Sequence, residues 1–253
     1  MNTFQQTPRR ARQAGFTLVE MMVAITIGLI VMFGVTTTFV NLKSTFKSQD
    51  KLGQLQDNER VALTFLTNAI NEAGYYPDPK SASTITTSTA PSTSPASPGG
   101  TMPALVGVFG TADGGSATTP ESLQTAFSTI ASDGLMSCIG TNYAGASTVT
   151  VRNIFYVDSS TNSLMCRVLV NGLGSDTMAN GGTPQILATG VSKMQVMYGL
   201  ASAGTQQVNV YVAPGDMTAS LWSTVKAVRI TLTLPNPFGG TDISRTHTIN
   251  VMN

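Results

Sequence analysis

The first strong pattern in the chain is an apolar run from Phe16 to Val40, in which Glu20 is the one charged residue. With a rise of about 1.5 Å per residue, a helix of this length crosses the roughly 30 Å hydrocarbon core of a bilayer. Arg9, Arg10 and Arg12 precede the run, and no acidic residue occurs before Glu20. This charge bias predicts a short cytoplasmic N-terminus and places the rest of the chain across the membrane.

The helical pattern continues beyond the apolar run. Apolar residues recur at roughly helical spacing among charged ones, at Phe46, Leu52, Leu55, Val61, Leu63, Phe65, Leu66 and Ile70. Gly74 and Pro77 then supply a stop signal. We therefore predict one helix of about 55 residues, with a membrane-spanning half at 16–42 and an amphipathic extracytoplasmic half at 43–74. The apolar positions keep no strict heptad, which favours packing on a sheet over a coiled coil.

A segment at 81–100 separates this helix from the remainder. It is rich in Ser, Thr and Pro and carries no charge. Such a segment buries too little apolar surface to offset the entropy of ordering, so we expect an exposed flexible loop, with or without glycosylation.

From about residue 101 onward the pattern becomes that of strands. Val, Ile, Phe and Tyr are concentrated at 148–158 and return at 163–170 after the turn-forming residues 159–162, which predicts a hairpin. Further strands are predicted at 191–200, 207–212, 225–234 and 244–252, separated by Gly and Pro. Residues 121–131 fit a helix or a strand equally well. The chain thus predicts an α+β protein with a β-rich globular domain at 101–253.

Composition and motifs exclude several functions. Charged residues make up 11% of the chain and the net charge is +1, so no basic surface for nucleic acid is expected. No P-loop, dinucleotide fingerprint, His-Glu-x-x-His motif or nucleophile elbow occurs. We expect no enzymatic activity, no cofactor and no metal. The aspartates Asp113, Asp158, Asp216 and Asp242 match no EF-hand spacing and are interpreted as turn residues.

The two cysteines, Cys138 and Cys166, both follow the apolar run. In an oxidising extracytoplasmic compartment we expect them to form a structural disulfide. A catalytic pair with His247, the single histidine of the chain, is the alternative.

Glu20 carries most of the functional information. A carboxylate near the end of a membrane span costs about 2 to 3 kcal/mol and needs a partner, unless it snorkels to the headgroups. A plain signal anchor has no use for it. A secretory signal peptide would end in a small-residue cleavage site, whereas this run ends in Phe39, Val40, Asn41, Leu42 and Lys43.

The residues from Gly15 to Glu20, GFTLVE, resemble the class III signal of type IV pilins. The resemblance implies that 1–15 is a cytoplasmic leader. It also implies that prepilin peptidase cleaves between Gly15 and Phe16 and methylates the new amino group of Phe16. Glu20 would then be an assembly carboxylate that pairs with the amine of a neighbouring subunit, neutralising two otherwise buried charges.

Later segments resemble the PilW family of minor pilins. They are 71–76 (NEAGYY), the surroundings of Cys138 and Cys166, 153–157 (NIFYV), 191–199 (VSKMQVMYG) and 225–232 (VKAVRITL). The resemblance implies the pilin fold, in which a long N-terminal helix packs on an antiparallel sheet.

The same resemblance implies a role as a minor pilin, assembled with other minor pilins into a complex that primes pilus assembly and remains at the fibre tip. The implied partners are other minor pilins, the major pilin, prepilin peptidase, the inner-membrane assembly platform and, before assembly, membrane lipid. The implied location is the bacterial inner membrane with a periplasmic C-terminal domain, then the fibre at the cell surface. Two alternatives stay open: a J-type pseudopilin of a type II secretion system, against which the likeness around Tyr198 and Arg229 weighs, and a tip adhesin.

Overall fold

The computed structural model describes residues 15–77, 88–90, 100–102, 106–113, 121–130, 133–142, 148–171, 176–178, 183–202, 205 and 207–251. The chain divides into two compact units, residues 1–50 and 51–253. The leader, apart from Gly15, lies outside the described residues.

The helix α1 comprises Leu18–Glu72, 55 residues, which confirms the predicted length. In the first unit the apolar side chains of α1 are all exposed. Within the described part of the chain, α1 is the helix that is long and apolar enough to cross a membrane. The hydroxyls of Thr26, Thr36, Thr37 and Thr38 donate to carbonyls three or four residues earlier. These bonds satisfy the four threonine hydroxyls within the helix itself.

In the second unit α1 contributes one buried stripe to the core: Leu55, Ala62, Leu66, Ala69 and Ile70. The helix ends at Glu72 and is followed by Gly74, whose φ of 82° is accessible to glycine at little cost. The Gly74 amide donates to the carbonyl of Ala126 at 2.8 Å. The predicted stop signal is therefore confirmed, and the end of the helix is fixed on a strand of the domain.

The strands form three antiparallel sheets. They are β1 (Ser88–Ala90), β2 (Gly100–Met102), β3 (Val108–Thr111), β4 (Ser122–Thr129), β5 (Val149–Asp158), β6 (Ser163–Asn171), β7 (Asp176–Met178), β8 (Gln185–Thr189), β9 (Lys193–Ala201), β10 (Val208–Val212), β11 (Val225–Leu234) and β12 (Ile243–Asn250). The six-stranded sheet has the order β3-β4-β5-β6-β7, with β8 also paired to β6. The four-stranded sheet has the order β10-β9-β11-β12, and β1 and β2 pair with each other. The α+β architecture with antiparallel sheets is confirmed.

The predicted hairpin is present as β5 and β6, which pair from Asp158 with Ser163 to Thr150 with Asn171. The four later predicted strands correspond to β9, β10, β11 and β12. The short strands β1, β2, β3, β7 and β8 were not predicted. They have three to five residues each, too few to show a two-residue period.

The ambiguous segment 121–131 is a strand, β4, and its residues are buried on both faces. One face carries Leu123 and Phe127, which join the main core. The other face carries Ser122 and Gln124, which are also fully buried. Because polar side chains are buried here as well, the alternation that marks a half-exposed strand is missing from the sequence.

The segment 81–100 is not a loop throughout. Residues 88–90 form β1, which pairs with β2 in the register Ser88 to Met102, Thr89 to Thr101 and Ala90 to Gly100. The prediction of a flexible loop is wrong at these positions because backbone pairing needs no apolar side chains. Residue 100 is the first residue of β2, and residues 81–87 and 91–99 lie outside the part that the structure describes.

The two larger sheets are joined through the side chain of Glu121, which directly precedes β4. Its Oε1 accepts a hydrogen bond from the Val196 amide of β9. Strand β10 pairs with β9 only at residues 198–201, so it leaves the Val196 amide to this carboxylate. Burial raises the pKa of Glu121, while the Val196 amide and Lys193 lower it and Asp113 raises it further.

Glu121→Gln should reduce the loss of folding stability that occurs as the pH rises. A carboxyl group whose pKa is raised by folding stabilises the fold below its unfolded pKa of about 4.3. That stability is lost as the pH rises through the higher folded pKa. Gln keeps an acceptor for the Val196 amide and carries no charge. In urea unfolding of the full chain in detergent, the free energy of unfolding of E121Q minus that of the wild type should therefore increase between pH 4 and pH 7; a constant difference would contradict this account.

Candidate processing and assembly site at the helix N-terminus

The N-terminal end of α1 is built from Gly15 to Glu20. Residues 15–17 are not helical, and the helix begins at Leu18. The Glu20 amide donates to the hydroxyl of Thr17 at 3.3 Å, and the Met21 amide donates to the carbonyl of Thr17 at 3.2 Å. Thr17 is therefore the N-cap, which satisfies a backbone donor that the first turn leaves without a helical partner.

Thr17 is a capping residue that the sequence reasoning missed. Thr17-x-x-Glu20 has the spacing of a capping box, in which a hydroxyl at the N-cap is followed three residues later by Glu or Gln. This signal was available in the sequence. It shows that Glu20 occupies a position where the helix itself favours a negative charge, since the N-terminal end of the helix dipole is positive.

The Gly15–Phe16 bond is separated from the first helical residue, Leu18, by two residues and lies in non-helical backbone. A Cβ atom added at Gly15 would meet no other atom within 4 Å. Phe16 is 81% exposed, and Glu20 is exposed as well. The bond therefore lies in the kind of accessible segment that proteases cleave most readily. Within the described part of the chain, Glu20 forms no ion pair.

The two cysteines form a disulfide. Cys138 and Cys166 have Cα atoms 6.5 Å apart, within the usual range for a disulfide, and both are buried. Asn153 of β5 accepts a hydrogen bond from the Cys138 amide at 3.0 Å through its side-chain oxygen, which holds the loop around Cys138 against the six-stranded sheet. The alternative of a catalytic pair with His247 is wrong, because neither sulfur is a free thiol.

Replacing both cysteines, as in Cys138→Ala with Cys166→Ala, should lower the free energy of unfolding by about 3 to 4 kcal/mol on the chain-entropy model. The disulfide joins residues separated by 28 positions, so it restricts the unfolded chain substantially. Urea unfolding of the full chain in detergent measures the change. The wild type treated with a reductant is the matched control and should unfold at nearly the same midpoint as the double variant; a double variant as stable as the oxidised wild type contradicts the prediction.

The remaining candidate residues have structural contacts. Asp158 accepts hydrogen bonds from Ser160 and Thr161 in the turn between β5 and β6, and these bonds, above all that from the Ser160 hydroxyl, lower its pKa. His247 lies 3.3 Å from Glu59 of α1. Within the described ranges, no three side chains of His, Cys, Asp or Glu come together as a metal site.

Two residues singled out by the resemblance anchor the four-stranded sheet. Tyr198 is completely buried, with its ring 4.7 Å from that of Trp222, which in turn lies 4.7 Å from Phe109. The guanidinium of Arg229 stacks 3.5 Å from the centroid of the Tyr211 ring. Both therefore serve packing within the domain.

Comparison with known protein families agrees with the long N-terminal helix and the β domain described above. Residues 10–36 match the model of the prokaryotic N-terminal methylation motif. No curated protein matches the chain significantly. A methylation motif at the start of a long apolar helix, followed by an antiparallel β domain, is the arrangement of pilin-like proteins.

The particular branch follows from a second match. Residues 154–252 match the family described as type IV pilus-assembly protein W, PilW. Together the two matches support a type IV pilus minor pilin of the PilW family. The match includes β6, β9, β11 and β12, whereas the resembling segments at 71–76 and around Cys138 lie outside both matched ranges.

Proposed function

We propose that this minor pilin joins other minor pilins and the major pilin in a complex that primes pilus assembly and remains at the fibre tip. The observation that supports it is the PilW-family match, in a chain that also carries the methylation motif. The protein acts as a structural subunit and has no catalytic role. Before assembly, it is held in the inner membrane by the apolar half of α1, with the globular domain in the periplasm.

In this proposal, prepilin peptidase cleaves the Gly15–Phe16 bond and methylates the amino group of Phe16. The support is the open backbone at Gly15 and the methylation motif around it. Cleavage leaves a cationic amine four residues before Glu20. On entry into the apolar interior of a fibre, Glu20 pairs with such an amine on a neighbouring subunit, so that neither charge is buried alone.

The experiment is the amount of major pilin in sheared surface fractions from a strain deleted for this protein, with and without the pilus retraction ATPase. A priming role predicts loss of surface pili, with partial recovery when retraction is absent. Complementation with the wild-type chain is the control. Unchanged pili together with exoproteins retained in the periplasm would contradict the proposal and assign the chain to the pseudopilins of type II secretion.

A further inference from the structure

Strand β12 leaves one edge of the four-stranded sheet open. It pairs with β11 over its whole length, Ile243 to Asn250, without a register shift. The Val251 amide donates to the carbonyl of Lys226 at 2.9 Å, so residue 251 directs its backbone groups toward β11. Because this direction alternates along an antiparallel strand, residues 244, 246, 248 and 250 direct their N–H and C=O groups away from the sheet.

These four outward residues, Ser244, Thr246, Thr248 and Asn250, are all exposed. In the described part of the chain, no backbone hydrogen bond beyond the β11 ladder involves them. An open row of backbone donors and acceptors is a ready template for another strand.

The other sheet edges are unsuited to pairing. Strands β3 and β7 have four and three residues. Strands β8 and β10 have five residues each, and both show a register shift against their neighbours. Short and bulged edges are the devices by which proteins prevent unwanted pairing. Among the described strands, β12 alone is a long, regular edge without proline or lysine.

We propose that β12 is an assembly surface to which an extended segment of a different pilin subunit adds as a further strand. This inference rests on the proposed function, because it presumes assembly with other pilins. Peptide addition to a sheet edge obtains its affinity from main-chain hydrogen bonds and its specificity from alternate side chains.

The charges along β12 indicate what that segment carries. Arg245 and His247 lie on the face of the sheet that meets α1, where both contact Glu59, and the Arg245 side chain remains 56% exposed. An incoming strand with an acidic residue opposite Arg245 complements this edge. Two copies of this chain paired antiparallel about Thr246 would set Arg245 of each copy opposite His247 of the other and add no carboxylate, which favours a different subunit.

The test is complementation of the deletion strain with Thr246→Pro. Proline removes the outward N–H and blocks the approach of a strand, but it leaves the bonds to β11 in place. The matched control, Thr246→Val, retains the N–H and loses the same hydroxyl contact with Thr231. With retraction absent, T246V should restore surface pilin to the wild-type amount, whereas T246P, present at a normal level with its disulfide formed, should yield at least fivefold less.

The outcomes separate this inference from the proposed function. If deletion reduces pili and T246P restores them fully, strand addition at β12 is wrong while the priming role stands. If deletion leaves pili unchanged, the priming role fails and this inference fails with it. The variant Thr246→Cys would carry a single unpaired thiol, since the two native cysteines form a disulfide. A disulfide-linked dimer of this variant would show that the edge pairs with a second copy and would overturn the proposal.

A measurement on the unaltered protein keeps the proposal testable if T246P is degraded. Hydrogen exchange at the amides of residues 246 and 248 should be at least tenfold slower in the detergent-extracted complex with the other pilins than in the purified full chain. Equal exchange in the two samples overturns the inference.

Discussion

Glu20→Ala should leave the protein processed, methylated and present in the membrane, but should reduce its incorporation into sheared pili by at least tenfold. In the proposed assembly, the carboxylate neutralises the amine of a neighbouring subunit within an apolar bundle. Removing one member of a buried ion pair costs about 3 to 5 kcal/mol, because the other charge is left uncompensated. Immunodetection of the protein in pilus and membrane fractions, with intact mass for processing, measures both effects.

The structure supplies the control that separates this charge from helix capping. Glu20 also stands at the third position after the N-cap Thr17, so alanine alters the cap as well as the charge. Glu20→Gln keeps a residue suited to the capping box and removes the charge, while Thr17→Ala removes the capping hydroxyl and retains the carboxylate. We expect E20Q to behave like E20A and T17A to assemble close to wild type. If E20Q assembles normally, the carboxylate serves the helix terminus and the charge-pairing account is wrong.

Gly15→Leu should block removal of the leader, so that the protein retains residues 1–15 and Phe16 gains no methyl group. Because a side chain at Gly15 meets no atom of this chain, the variant should fold as the wild type does. Any block therefore reflects the binding site of the peptidase, which must accept the residue before the cleaved bond. Intact-mass measurement of the membrane protein distinguishes the two forms.

Gly15→Ala is the matched control for this position, since it adds a single methyl group. We expect it to be processed, at a reduced rate. Recovery of the mature, methylated mass from the G15L variant would show that a different peptidase acts on the chain and would remove the role assigned to Gly15.

Much of the fold could be predicted where it depends on the pattern of residues close together in the sequence. The long helix and its stop at Gly74, the hairpin of β5 and β6, and the strands β9, β10, β11 and β12 were all predicted at nearly their observed positions. Strand β4 could not be assigned because polar side chains such as Gln124 are buried on its second face. The short strands could not be predicted from the sequence, because they are defined by pairing with neighbouring strands and show no periodicity of their own.

The functional features also divide into those that the sequence alone determined and those that only the tertiary structure decided. The residues from Gly15 to Glu20, the capping-box spacing and the apolar run depend on neighbouring positions along one helix, so the sequence alone determined the membrane segment and the candidate processing site. The tertiary structure decided how the strands divide among three sheets and placed Glu121 beside Val196, 75 positions later in the chain. It also left the edge of β12 open, because an edge is defined by the absence of a neighbouring strand, which only the arrangement of all described strands can show.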